Sequence, residues 1–266
     1  MKIIITEEQY GFIEGIEIGD DGQMKLDVKG SEQKFIDTSL GKSSKNVRFE
    51  ARVTTLPQSK VKVVSVYKKG SVDSDFGGSM ADILKGLKRK SSSYEISEDE
   101  YSKFINRTSI FFAKEMNRMK VDSVFCMGSS SSLVKDVALK TVEKVSNISL
   151  KFLPDSIVKN IDSLELVIPD EDIEKFGADI MNSLQREVEK AKSRNEFEIK
   201  KIPPQYRKFF KNWIEINSGI IKEITGKDVI LFDDYLTSGA TLDEVCLRLK
   251  ELSPKSITCF TIIKMK

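Results

Sequence analysis

The chain reads as an α/β protein: a parallel sheet flanked by helices, with a β-rich N-terminal domain. Three observations predict this. From residue 97 onward, apolar strand patterns alternate with helical ones, the order that builds parallel sheets with helices on both faces. Before residue 70 the apolar residues alternate with period two and no helix intervenes. Between Val229 and Leu252 a buried-strand pattern runs into Asp233-Asp234, a loop of hydroxyls and glycine, and a helical stripe.

At the start, Ile3 to Thr6 is a short apolar run. Ile16 and Ile18, then Met24, Leu26 and Val28, alternate on either side of Asp20-Asp21-Gly22, which predicts a hairpin. Val47, Phe49, Ala51 and Val53 alternate again, and Val61 to Tyr67 suits a further strand. These segments define a β-rich domain over 1–70, expected to stand apart from the core. Residues 71–96 read as a linker rich in Gly, Ser and charge, with a short helix from Met80 to Leu87.

The third unit spans 97–266. Ser97 and Glu100 form a capping box ahead of the stripe Tyr101, Phe104, Ile105, Phe111, Phe112 and Met116. Val121 to Met127 reads as a strand, Gly128 to Ser131 as a loop, and Leu133 to Val145 as a helix. Ile148 to Leu153 and Leu164 to Ile168 are shorter strands. Asp170 to Arg194 is a long charged helix with an apolar stripe, and Pro203-Pro204 opens another helix through Trp213 and Ile216. The strand at Val229 to Phe232, its helix, and a last strand from Ile257 to Ile263 complete the order.

Composition narrows the chemistry. The chain has 266 residues, 39% hydrophobic and 32% charged, with a net charge of +2, which fits an ordinary soluble fold. No apolar run approaches the ~20 residues that span a bilayer. The N-terminal MKIIITEEQY turns acidic too early for a secretory signal, so a cytoplasmic location and no membrane partner are expected. There is no histidine, which excludes Ser-His-Asp and Cys-His catalysis and every His-ligated metal site. Cys126, Cys246 and Cys259 lie far apart in sequence and form no C-x-x-C pair, so buried free thiols are expected. Any metal would be held by oxygen, which favours Mg2+.

Two loops carry the candidate chemistry. Thr237, Ser238, Gly239, Ala240 and Thr241 precede a helix, where unpaired N–H groups and the positive dipole end suit a phosphate. Asp233 and Asp234 beside them can accept from sugar hydroxyls or help hold a divalent cation. Gly128, Ser129, Ser130 and Ser131 form a second small-residue loop between strand and helix. A nucleotide-binding P-loop is absent, because Gly41-Lys42-Ser43 has Ile36 where the first glycine should stand.

The stretch ILFDDYLTSGAT, residues 230 to 241, closely resembles the phosphoribosyl-pyrophosphate signature of type I phosphoribosyltransferases. That signature is a hydrophobic strand, an acidic pair, two apolar residues and T-[ST]-G-x-[ST]. Tyr235 departs from it, since the residue after the acidic pair is more often small or aliphatic. The resemblance covers ~97 to 266, and the order Gln205, Arg207, Asn212 resembles the competence-associated members of the family.

The resemblance implies a glycosyltransferase of nucleotide metabolism that moves ribose 5-phosphate between phosphoribosyl pyrophosphate and a nitrogenous base. It implies Asp233 and Asp234 as catalytic and Mg2+-binding residues, and 237–241 as the phosphate loop. Gly128 to Ser131 becomes the pyrophosphate loop. Arg207 becomes a catalytic cation and Lys208 a ligand-binding one, with Lys200 and Lys201 behind them. The hood that recognises the base must come from the N-terminal part or from 154–200.

Alternatives remain at this level: a regulator that binds nucleotide or phosphoribosyl pyrophosphate without turnover, or a nucleic-acid-associated protein. The latter rests on 42–69, since between Gly41 and Gly70 eight Lys or Arg face a single acid, Glu50. An exposed charged sheet edge reads the same way. A homodimer is a candidate assembly.

Overall fold

A computed structural model describes residues 16–18, 23–26, 36–37, 42–43, 46–47, 52–69, 85–89, 95–128, 132–147 and 149–264. The expected strand at 3–6, the hairpin turn at 20–22, most of the 71–96 linker and Ser129 to Ser131 lie outside the described residues.

In chain order the strands are β1 (Ile16–Ile18), β2 (Gln23–Leu26), β3 (Ile36–Asp37), β4 (Lys42–Ser43), β5 (Asn46–Val47), β6 (Arg52–Thr55), β7 (Lys62–Lys69) and β8 (Glu95–Ile96). Then come α1 (Glu98–Met116), β9 (Ser123–Met127), α2 (Leu133–Val142), β10 (Lys151–Lys159), β11 (Glu165–Leu166) and α3 (Asp170–Arg194). After two short 3-10 turns follow β12 (Phe210–Lys211), β13 (Ile214–Ile216), β14 (Asp228–Leu236), α4 (Ala240–Glu251) and β15 (Ser256–Lys264).

The main sheet runs β13-β10-β9-β14-β15-β7-β3, with β6 also paired to β7. Its five inner strands, β10, β9, β14, β15 and β7, are mutually parallel. As strands covered on both faces should, they read as apolar runs whose alternate residues enter two cores. Val64, Val124, Cys126, Ile230, Phe232 and Phe260 pack beneath α1 and α2. Val63, Phe125, Met127, Leu231 and Cys259 pack against α4 and the end of α3 on the opposite face.

The α/β class and an antiparallel β1–β2 pair are found as expected, and of the capping box the Ser97 half is present, its hydroxyl accepting from the Glu100 N–H while the Glu100 carboxylate pairs with Lys103. Three expectations change. First, β7 does not belong to a separate N-terminal sheet: it pairs in parallel with β15, from Lys62↔Thr258 to Lys68↔Lys264. An unbroken run of buried residues from Val63 to Tyr67 is the pattern of an inner parallel strand, so a boundary at residue 70 cuts through the core. Second, no helix follows Pro203-Pro204. A 3-10 turn over Pro204–Phe209 gives way to β12 and β13, with Asn212 left-handed at φ 61° between them. Packing overrides the helical spacing here: Phe197 stacks on Phe210 and meets Trp213 edge-on, at 5.4 and 5.2 Å between ring centres. Third, α3 contains Gly177 at φ 74°, so the predicted helix is two segments across a kink.

Cys246 and Cys259, on consecutive elements, bring their thiols to 3.3 Å across the α4–β15 interface. Both are buried, and burial pushes the Cys259 thiol well above its ordinary range.

The base of β14 is tied by Asp228, which accepts from the Ser256 hydroxyl at 2.7 Å and pairs with the Lys255 ammonium at 3.0 Å. These partners, the hydroxyl first, hold its carboxyl below the ordinary carboxylate range. A depressed carboxyl contributes stability above its unfolded value and loses that contribution as pH falls through the folded one. Asp228→Asn is therefore expected to cost about 1 kcal/mol at neutral pH. Below about pH 4 the wild-type advantage should shrink, which denaturant titrations across that range measure.

Candidate functional site

The chain leaves β9 through α2 toward β10 on one side, and leaves β14 through α4 toward β15 on the other. Strands β9 and β14 are adjacent, so their carboxyl ends flank a topological switch point, the place where open α/β sheets hold ligands. Pairing of β14 with β9 stops at Phe232↔Cys126, whereas pairing with β15 continues to Leu236↔Lys264. Asp233 and Asp234 thus lie on the strand just where one neighbour has departed.

The sequence places this pair past the strand's end; the structure keeps it inside β14. The Asp234 N–H donates to Asp233 Oδ1 at 2.9 Å, and the Tyr235 N–H to Asp234 Oδ1 at 2.7 Å. Burial pushes the Asp233 carboxyl well above its ordinary range, and the neighbouring Asp234 charge pushes the same way. Asp234 forms an ion pair with Lys88, whose ammonium also lies 4.7 Å from the centre of the Tyr235 ring. No motif in the sequence marks Lys88, which falls in the segment read as a linker.

The loop beyond the pair is shaped by Gly239, left-handed at φ 74° and ψ 3° immediately before α4. A Cβ there would stand 2.7 Å from Leu56 Cδ2 and 3.3 Å from Leu236 Cδ1, so both backbone conformation and space call for glycine. Thr237 and Ser238 are exposed, and Ala240 and Thr241 half-buried. The loop is braced from the N-terminal half as well. Asp243, buried one turn into α4, accepts from the Gln58 and Ser59 N–H groups at 2.9 and 2.7 Å.

Of the expected arm cations, Arg207 reaches the loop: one guanidinium N–H donates to the Ser238 hydroxyl at 2.8 Å and another to the Ile202 carbonyl at 2.7 Å. Lys208 does not join it. Its ammonium pairs with Asp172 at the start of α3, at 3.0 Å, and lies over the Phe209 ring. In a 3-10 turn adjacent residues diverge by about 120°, so both cannot face one loop. Lys201 pairs with Glu198, Gln205 is exposed, and Asn212 donates to Glu165. The Lys200 side chain lies outside the described residues.

Gly128 sits at the end of β9 with its expected loop, Ser129 to Ser131, outside the described residues. A Cβ on Gly128 would stand 2.9 Å from the Ile157 carbonyl oxygen and 3.4 Å from Val158 Cα, so this glycine admits the close approach of β10. Beyond the loop, Ser132 stands at the N-cap position of α2 without a side-chain capping bond, and the Tyr101 hydroxyl donates to Asp136 at 2.6 Å while lying 3.4 Å from the Ser132 hydroxyl. Burial, then that carboxylate, raises the Tyr101 phenol to about 12.

No cluster of three metal-ligating side chains occurs among the described residues. Asp233 and Asp234 offer hard oxygen donors at a half-buried position, a donor set that fits Mg2+ when ligand oxygens complete the shell. Two cavities of about 630 and 700 Å³ lie elsewhere, along the outer face of α4, and share Asn212, Arg248 and Glu251. Neither is lined by the signature loop, and the chemistry favours the crevice over them. The basic segment at 42–69 is interrupted by buried Val63 to Tyr67, leaving Lys60 and Lys62 as its exposed described cations. No described helix is long and apolar enough to cross a membrane.

Residues 182–266 match the family model of the phosphoribosyl transferase domain. Solved structures similar to the chain include a hypoxanthine-guanine phosphoribosyltransferase from Bacillus anthracis at 14% identity and TM-score 0.34. That match covers 61% of this chain and 66% of the other. A purine phosphoribosyltransferase from Pyrococcus horikoshii matches at 15% identity and TM-score 0.34, over 62% of this chain and 85% of the other. An adenine phosphoribosyltransferase from Leishmania donovani matches at 11% identity and TM-score 0.32, over 80% and 86%. No curated protein matches the chain. The matched stretch contains the signature loop at the switch point of the parallel sheet, so residues 182–266 are similar to a phosphoribosyl transferase domain.

Proposed function

We propose that the chain binds phosphoribosyl pyrophosphate and transfers its ribose 5-phosphate to, or from, a nitrogenous base or related acceptor. The observation that carries this reading is the acidic pair and its hydroxyl–glycine loop at the carboxyl ends of β9 and β14. N–H groups at the start of α4 suit the 5-phosphate. Asp233 and Asp234 accept from the ribose hydroxyls, and their charge favours the oxocarbenium-like centre that develops at C1 as the bond to pyrophosphate breaks. Mg2+, held by the pair with the ligand's own oxygens, would supply positive charge against the leaving group. Arg207 adds a cation at Ser238, and fixed placement of sugar and acceptor lowers the remaining barrier.

Incubation with the pyrophosphorylated sugar, magnesium and a panel of purine and pyrimidine bases tests this directly. Release of pyrophosphate with one base is the expected result. Binding without release against the whole panel would make the protein a phosphoribosyl-pyrophosphate-binding regulator. No binding would remove both readings. Arg207→Met should weaken the ligand by about 1.5–3 kcal/mol, as expected for loss of a charged hydrogen-bond donor. Calorimetry with magnesium reads that change, and an unchanged affinity would take Arg207 out of the site.

A further inference from the structure

Strand β7 runs parallel to β14 and β15, so its carboxyl end, at Lys68 and Lys69, opens on the same edge as the acidic pair. The chain that follows is described again at 85–89, where it has reached the crevice. Leu87 is fully buried in the core beneath α1, which fixes the turn there. Lys88 and Arg89 then point to two different places. Lys88 meets Asp234 and the Tyr235 ring, with only 13% of its side chain exposed against 12% for Asp234. Arg89 lies 3.8 Å over the Tyr101 ring, whose hydroxyl contacts Ser132 at the start of α2.

Two consecutive cations therefore span from the signature strand to the helix that follows Gly128. The backbone bears a cost for this: Arg89 is left-handed at φ 53°, a conformation disfavoured for a residue with a Cβ. Such strain persists only where surrounding contacts over-determine it, and it concentrates at ligand sites. Here the contacts are the Tyr101 ring and an ion pair to Glu98.

We infer that Lys88 is an anion-binding residue of this site, delivered by the segment after β7 and held over the crevice by Arg89. This rests on the phosphoribosyl reading above. Without ligand, Lys88 balances Asp234. When ribose hydroxyls occupy Asp234, the ammonium is released toward the pyrophosphate on the α2 side. Tyr235, unusual after an acidic pair, then has a role as the platform that keeps the ammonium within reach.

Calorimetry with magnesium, comparing phosphoribosyl pyrophosphate with ribose 5-phosphate, tests this on the full chain. Lys88→Met should weaken the pyrophosphorylated sugar roughly 10- to 100-fold, as for a lost charge-assisted contact, and ribose 5-phosphate much less. Lys88→Arg keeps the charge and should recover most of the loss. Lys88→Gln serves as the second uncharged variant should Lys88→Met fail to fold. If Lys88 only neutralises Asp234, removing it frees that carboxylate, and both ligands bind equally well or tighter; this result overturns the inference alone. Failure of the wild type to bind either ligand would overturn the phosphoribosyl reading and this inference with it.

Discussion

Replacing Asp233 and Asp234 together with asparagine is expected to weaken phosphoribosyl pyrophosphate by about 1–3 kcal/mol, roughly 5- to 150-fold. The amides fill the same space but cannot accept at both terminal atoms, and they remove the charge that holds magnesium and Lys88. The fold should survive. Burial already disfavours the ionised form of Asp233, so neutralising it relieves a cost in the free protein. Asp234 loses its ion pair with Lys88, whose side chain is only 13% exposed, so the cost of that unpaired ammonium is set against the relief at Asp233. Thermal unfolding should thus show little loss while calorimetry shows a large one. Unchanged affinity in the folded double variant would refute the assignment of the sugar site.

The same pair shows what a sequence discloses. A strand buried on both faces, an acidic pair and a loop with one glycine are local features, so the strand, loop and helix of 228–251 are legible from neighbouring residues, whereas the continuation of β14 through the acidic pair to Leu236 is not. Arg207 was legible only through family resemblance, because its contact with Ser238 depends on how the turn at Pro204–Phe209 folds back. The pairing of Lys208 with Asp172 was not legible for the same reason. The fifth inner strand was harder. The residues from Val61 to Tyr67 have the composition of a buried strand, but nothing local says that the partner is β15, about 200 positions away. The carboxyl end of β7 opens on the edge that carries the acidic pair, and Lys88, 19 positions beyond Lys69, pairs with Asp234 there.

Gly128→Val is expected to have the largest effect on stability, about 1–3 kcal/mol, as for overpacking in a dense core. The new Cβ would meet the Ile157 carbonyl oxygen at 2.9 Å, and that oxygen belongs to the backbone of β10 rather than to a movable side-chain tip. Relief requires β9 and β10 to part just past the irregular register between Leu153 and Ile157, where the two strands are already least regular. Read from sequence, this glycine serves close approach of pyrophosphate; in the structure it admits a neighbouring strand. The two roles are separable by measurement. Parting the strands also displaces Gly128 itself, so a pyrophosphate-binding role for this position predicts that the variant loses more affinity for phosphoribosyl pyrophosphate than for ribose 5-phosphate. Denaturant unfolding gives the stability change, and calorimetry on the still-folded fraction gives the two affinities. A destabilised variant that weakens both ligands equally would leave Gly128 to the sheet and take the pyrophosphate away from this position.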